Sequence, residues 1–120
     1  MAIGRTLKTT LKKIVSALKD FAGQQCWKPD EYKILFQISK KWGIVSVFFI
    51  VKDFGELDSH EMWERVWKSL ENSTLTEQDR VYTIRLSVRD WKQMREGGIY
   101  SIPLGFIDQE ELLAVPSVVD

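Results

Sequence analysis

Apolar positions recur along this chain with two different periods, and the periods lay out its elements. Leu7, Leu11, Ile14, Val15, Leu18, Phe21 and Ala22 return every three to four residues, the spacing of one face of an α-helix. Arg5, Lys8, Lys12, Ser16, Lys19 and Asp20 fall on the other side. A first helix is therefore expected over residues 4–22, stopped by Gly23. The period then drops to two. Tyr32, Ile34, Phe36 and Ile38 alternate with Lys33, Leu35, Gln37 and Ser39, the mark of a strand with one covered face. After a Lys40-Lys41-Trp42-Gly43 turn, Ile44 to Lys52 is apolar on both faces. A strand of that kind wants a central place in a sheet, or one face at a partner surface. The two strands form an antiparallel hairpin.

The helical period returns after Asp58, which is placed to cap a helix with Glu61 three residues on. Trp63, Val66, Trp67 and Leu70 give it one apolar stripe. A polar loop over residues 71–79 leads to a third strand, Arg80 to Ser87, with Tyr82, Ile84 and Leu86 on the core face. Ser87 is expected to cap a third helix that turns Trp91 and Met94 inward and ends at Gly97-Gly98. Beyond it, Ile99 to Ile102 suits a short edge strand and Asp108 to Leu113 a helical turn or two. Residues 114–120 read as a frayed tail. The predicted order is α-β-β-α-β-α in a single domain spanning residues 1–120. The fold class is α+β, with a three- to four-stranded sheet and helices packed on one face.

Composition changes this picture little. With 44% hydrophobic and 28% charged residues among 120, a core is affordable without disulfides or metal. The net charge of zero removes the simplest case for nucleic acid or an anionic membrane. The charge is unevenly placed, however: residues 1–41 hold nine Lys/Arg against three acids. Either the two halves neutralise one another in the fold, or a basic interaction face results. Cys26 is the sole cysteine, which excludes an internal disulfide and suits a reducing compartment. No apolar run has the length of a signal peptide core or a membrane span, so a cytoplasmic protein that meets no membrane is expected.

Candidate chemistry is thin. Cys26 and His60 stand far apart with no second Cys or His, so the paired ligands of a zinc site are missing. Cys26 follows the end of a helix, whereas acidic thiols favour helix N-termini or cationic company. His60 sits on the first turn of a helix among Asp58, Ser59 and Glu61, as an exposed polar residue would. The acids of residues 53–64 lack the alternating ligands and glycine of a calcium loop and suit a solvated helix start. No phosphate-binding glycine loop or nucleophile elbow is present. No catalytic residue, metal ligand or cofactor is assigned.

Five tryptophans are the stronger lead. Trp63, Trp67 and Trp91 fall on core stripes. Trp27 and Trp42 fall in loops, and Trp42 directly follows Lys40 and Lys41. Such a tip suits three roles: stacking a nucleic-acid base while the lysines hold phosphate, anchoring a protein partner, or folding back over its own hairpin. Lys40, Lys41, Trp42 and Trp27 are therefore the candidate binding residues.

Within residues 44–91, the run VFFIVKDF leading into a helix, followed by TIRLSVRDW, resembles the BolA family. The shared features are a strand ending in Asp53 and Phe54, a helix ending near Leu70, and a strand running into a capped helix with Trp91. The resemblance implies a KH-like α+β fold. It carries no ligand: the family's histidine, used for iron–sulfur ligation with glutaredoxins, belongs near Trp63, and His60 lies about a turn early. The Gly-x-x-Gly loop of nucleic-acid-binding KH domains is absent too. The expected function is a small non-enzymatic interaction module, for a protein partner or for self-association. The alternative is nucleic-acid binding by the basic N-terminal half.

Overall fold

The computed structural model describes residues 3–39, 41–91 and 105–118. Among them, β1 (Ile3–Gly4) leads into α1 (Arg5–Gln24), followed by β2 (Tyr32–Ser39) and β3 (Ile44–Val51). After α2 (Ser59–Glu71) come β4 (Ile84–Asp90), β5 (Ile107–Asp108), α3 (Gln109–Leu113) and β6 (Ser117–Val118). The fold is α+β in the expected order.

The hairpin is in place: β2 and β3 pair antiparallel from Tyr32 opposite Val51 to Ser39 opposite Ile44. The sheet order is β4-β3-β2-β5, with β4 parallel to β3 and β5 antiparallel to β2. The strand that is apolar on both faces thus takes an interior place. Val45, Val47, Phe49 and Val51 join the core under the helices, while Phe48 and Ile50 face the other way. Helices α1 and α2 cover the first face through Leu11, Ile14, Leu18, Met62, Val66 and Leu70, all buried. On the second face, Trp91 and Phe106 pack against Leu35, Phe48 and Ile50. Trp91 therefore turns inward, but on the side of the sheet opposite α1 and α2.

Four local expectations change. Helix α1 runs past Gly23 to Gln24 and is stopped by Cys26, whose φ is 61°. The Cys26 N–H donates to the Gly23 carbonyl (3.0 Å) and the Trp27 N–H to the Ala22 carbonyl (2.9 Å). The Trp27 ring packs edge-on against Phe21, 5.8 Å between centroids. This is the Schellman stop with its usual hydrophobic contact, built with cysteine where glycine is the common choice. The left-handed conformation costs a residue with a Cβ about 1–2 kcal/mol, and glycine's extra chain entropy cancels about 0.5–1 kcal/mol of what its use would recover. Cys26→Gly is accordingly expected to stabilise the protein by up to about 1 kcal/mol, read as a higher urea midpoint. A lowered midpoint would show that the cysteine side chain has a stabilising contact of its own.

The third strand begins at Ile84, and residues 79–83 form a π-helical turn instead. The ladder explains the shift. Val45, the second residue of β3, pairs with Ile84, so an extended segment 80–82 would run beyond the start of β3, alongside a turn and not a strand. Ser87 consequently lies inside β4 and caps nothing. Its expected helix falls largely outside the described residues, as do Met94, Gly97-Gly98, Ile99–Ile102 and Lys40.

On α2 the buried line is Met62, Val66 and Leu70, while Trp63 and Trp67 are half-buried at its edge. The two indoles stack at 5.4 Å, and Trp63 Nε1 donates to the Leu86 carbonyl (3.0 Å). The helix lies rotated by roughly 50°, about half a residue, from the expected stripe, keeping Val66 and Leu70 in it. Its Asp58 cap is as expected, accepting from the Glu61 N–H at 2.8 Å. That hydrogen bond, first among several, holds the Asp58 carboxyl below its usual range.

Finally, part of the tail expected to fray is paired. Ser117–Val118 lie parallel to Ile3–Gly4, and Lys8 Nζ donates to the Val115 carbonyl (2.7 Å).

At the far end of the hairpin, Glu31 ties the loop before β2 to the residue after β3. Its Oε1 accepts from the Lys28 N–H and its Oε2 from Lys52 Nζ, both at 3.0 Å. The Lys28 N–H first, and then Lys52, hold the Glu31 carboxyl below the usual glutamate range, while Glu31 raises Lys52. A depressed carboxylate stabilises the fold fully above its unfolded-state pKa and loses that contribution as pH falls through the folded value. The raised lysine behaves in reverse, losing its share as pH rises through its folded value. An NMR titration of the Glu31 carboxyl is expected to show a midpoint below that of glutamate in the urea-unfolded chain. A midpoint at or above it would rule the clasp out in solution.

Candidate interaction surface at the hairpin end

The β2–β3 turn needs a backbone that reverses within a few residues, and Gly43 supplies it with a φ of 62°. That tight reversal leaves Trp42 with no strand or helix to lie against. Its side chain is 70% exposed, and the Lys41 ammonium stands over its ring, 5.2 Å from the centroid. Of the three roles open to the hairpin tip, folding back is therefore not the one adopted. Lys41 and Trp42 act as a unit, because a cation over an indole face is held by the ring quadrupole.

The turn at 79–83 lies at the same end of the sheet. β4 is parallel to β3, so the segment entering β4 sits beside the segment entering β3, which is the hairpin turn. The Thr76 hydroxyl accepts from the Asp79 N–H (3.1 Å), and the Arg80 N–H donates to the Thr76 carbonyl (3.1 Å). Arg85 Nη1 holds the other side of the turn, donating to the carbonyls of Val81 (3.3 Å) and Ile84 (3.1 Å). So held, the turn points Tyr82 and Val81 outward, 71% and 49% exposed. Arg80 Nε is buried there without a hydrogen-bond partner.

Between these turns and the start of α1 opens a cleft of about 450 Å³. Leu7 of α1, Ile38 of β2, and Ile44 and Val45 of β3 give it apolar walls; Gly43 and Asp79 also line it. The large apolar side chains that are exposed among the described residues are Trp42, Val81 and Tyr82. All three lie at this end of the sheet.

The candidate binding residues are separated by the fold. Trp27 lies before β2 and Trp42 after it, so the eight residues of β2, about 26 Å of strand, stand between them. Trp27 packs on Phe21 and on Phe49, 6.4 Å between centroids in the second case, and belongs to the core. Lys41 and Trp42 come together; Lys40 lies outside the described residues. Sequence reasoning missed Val81 and Tyr82 by placing them in a strand. The available signal was Thr76 followed three residues later by Asp79, a helix-start pattern.

The remaining candidate chemistry stays dispersed. His60 Nε2 pairs with Glu64 Oε1 (3.0 Å) on the exposed side of α2, and Cys26 is exposed at the end of α1. Among the described residues, no group of three or more His, Cys, Asp or Glu side chains is placed to hold a metal ion. No described helix is long and apolar enough to cross a membrane. No protein-family model, curated protein or solved structure matches the chain.

Proposed function

We propose that this chain is a small, non-enzymatic interaction module of the cytoplasm, and that its contact surface is the hairpin end of the sheet. The observation that carries the reading is the exposure of Trp42, Val81 and Tyr82 at the same end of the sheet as the apolar cleft. Single exposed apolar side chains are ordinary on a protein surface. A cluster with a tryptophan and a tyrosine beside a cleft has the composition of a binding hot spot. The sole cysteine supports a reducing compartment. The resemblance to the BolA family enters this proposal as support for the fold only.

The test is a pulldown comparing the wild type with a Trp42→Ala/Tyr82→Ala variant. Both side chains project into solvent, so the variant is expected to fold normally by circular dichroism. The wild type is expected to retain a protein partner that the variant loses. Retention that survives both substitutions would overturn the assignment of the surface.

The Lys41–Trp42 pair favours a second reading, single-stranded nucleic acid stacked on the indole with Lys41 at a phosphate. On that reading, retention on oligonucleotides would fall steeply with salt and would depend on Lys41 and Trp42, with Tyr82 and Val81 indifferent.

A further inference from the structure

We infer that the occupant of the hairpin-end cleft is a second copy of this chain, with Trp42 of each copy entering the cleft of the other. This deepens the proposed function and rests on it.

The first support is the placement of donor and acceptor. Gly43 lines the cleft, and Trp42, the residue just before it, is exposed to solvent. An exposed indole immediately beside an apolar cleft is a self-complementary surface. A two-fold axis passing near the hairpin turn brings each indole to the other copy's cleft, and such an interface closes on itself without extending into a filament. The same indole cannot serve its own copy in this conformation: it is 70% exposed, with Lys41 over its face.

The second support is charge. Lys41 travels with Trp42, so an indole seated in the cleft carries an ammonium to its margin. The acid among the residues that line the cleft is Asp79. Docking by a two-fold axis thus forms two symmetric Lys41–Asp79 pairs, one on each side. An unrelated partner would have no reason to reproduce this match, whereas a second copy reproduces it by construction. Tyr82 and Val81 then lie on the rim and exclude water from the seated indole.

Size sets the strength. A buried aromatic contributes about 150–250 Å², so two copies of Trp42, Tyr82 and Val81 with their clefts make an interface at or below about 1,200 Å², the range of weak and transient contacts. A rapidly reversible dimer, with dissociation in the micromolar range, is the expected form.

Sedimentation velocity over a wide concentration range tests the inference. The wild type is expected to move from monomer to dimer mass. Trp42→Ala is expected to weaken dimerisation by at least about 30-fold, the scale of a hot-spot truncation. Lys41→Asp and Asp79→Lys are each expected to weaken it about tenfold, and the two together to restore most of the loss. The charge swap matters because a residue that merely props up the turn would not be rescued by inverting its partner. A dimer that survives Trp42→Ala, or charge variants whose effects simply add, would overturn the inference. So would a wild type that stays monomeric at millimolar concentration. In that last case the pulldown separates the two proposals: if it still shows a partner lost with Trp42 and Tyr82, the interaction module stands with a different occupant; if it shows none, both fall. Salt-sensitive oligonucleotide retention by a strictly monomeric wild type would give the surface to nucleic acid instead.

Discussion

Phe49→Ala is expected to lower stability by about 3–5 kcal/mol, the largest effect of any single truncation considered for this protein. Phe49 is 0% exposed, in the middle of β3. Its ring meets Tyr32 at 6.0 Å and both Phe21 and Trp27 at 6.4 Å between centroids. Those neighbours come from β2, α1 and the loop after α1, so one ring joins three segments. The cost depends on how far the surroundings collapse into the space left behind. Here collapse is resisted, because β3 is held by ladders on both sides and the neighbours are themselves rigid rings. A domain of this size has about 5–15 kcal/mol in all, so the loss takes between about a fifth and the whole of it, and the variant is expected to unfold at a clearly lower urea midpoint. A loss below about 1.5 kcal/mol would mean that the aromatic cluster does not unite the three segments.

Leu112→Ala is expected to cost about 2–4 kcal/mol, a large effect for a residue on a helix of five residues. The helix is too short to be stable by itself. It is held because Leu112, 1% exposed, enters the same core as α1 and α2, while Asp108 accepts from the Glu110 N–H (2.9 Å) at its start. The chain then crosses to α1 through Lys8 and Val115. Amide exchange gives a second readout: protection over residues 109–113 should fall in the variant further than protection in β2 and β3. Equal loss everywhere would mean that α3 opens only with the whole molecule.

The central elements were legible because their patterns are long and of one period. The eight-residue alternation of Tyr32 to Ser39 and the doubly apolar run from Ile44 share a turn whose glycine takes a positive φ, and the hairpin register follows. Asp58 was readable as a cap because its hydrogen bond is local. The failures share the opposite property. Val81 and Tyr82 have strand propensity, but β3 begins too late to pair with them. That limit lies in a ladder between distant segments and leaves no trace in a short window. Cys26 stops α1 although Gly23 is the better local candidate, since the stop is placed where Trp27 reaches Phe21. The pairing of Ile3–Gly4 with Ser117–Val118 joins the two ends of the described chain, and nothing near either segment announces the other. The hairpin-end surface inherits this division. Lys41 and Trp42 could be found from their own neighbourhood, whereas Val81, Tyr82 and the cleft walls could not.

The parallel pairing of β3 with β4 has a kinetic consequence. The β2–β3 hairpin closes a loop of a few residues and can form early, but β4 reaches its place only after α2 has folded back across the sheet, at the larger entropic cost of a long closure. The rate-limiting barrier should therefore be crossed with the hairpin formed and β4 still undocked. On a chevron plot, Val88→Ala is expected to raise the unfolding arm while leaving the refolding arm nearly unmoved, and Val47→Ala to slow refolding. The opposite assignment would place the crossover, not the hairpin, at the start of folding.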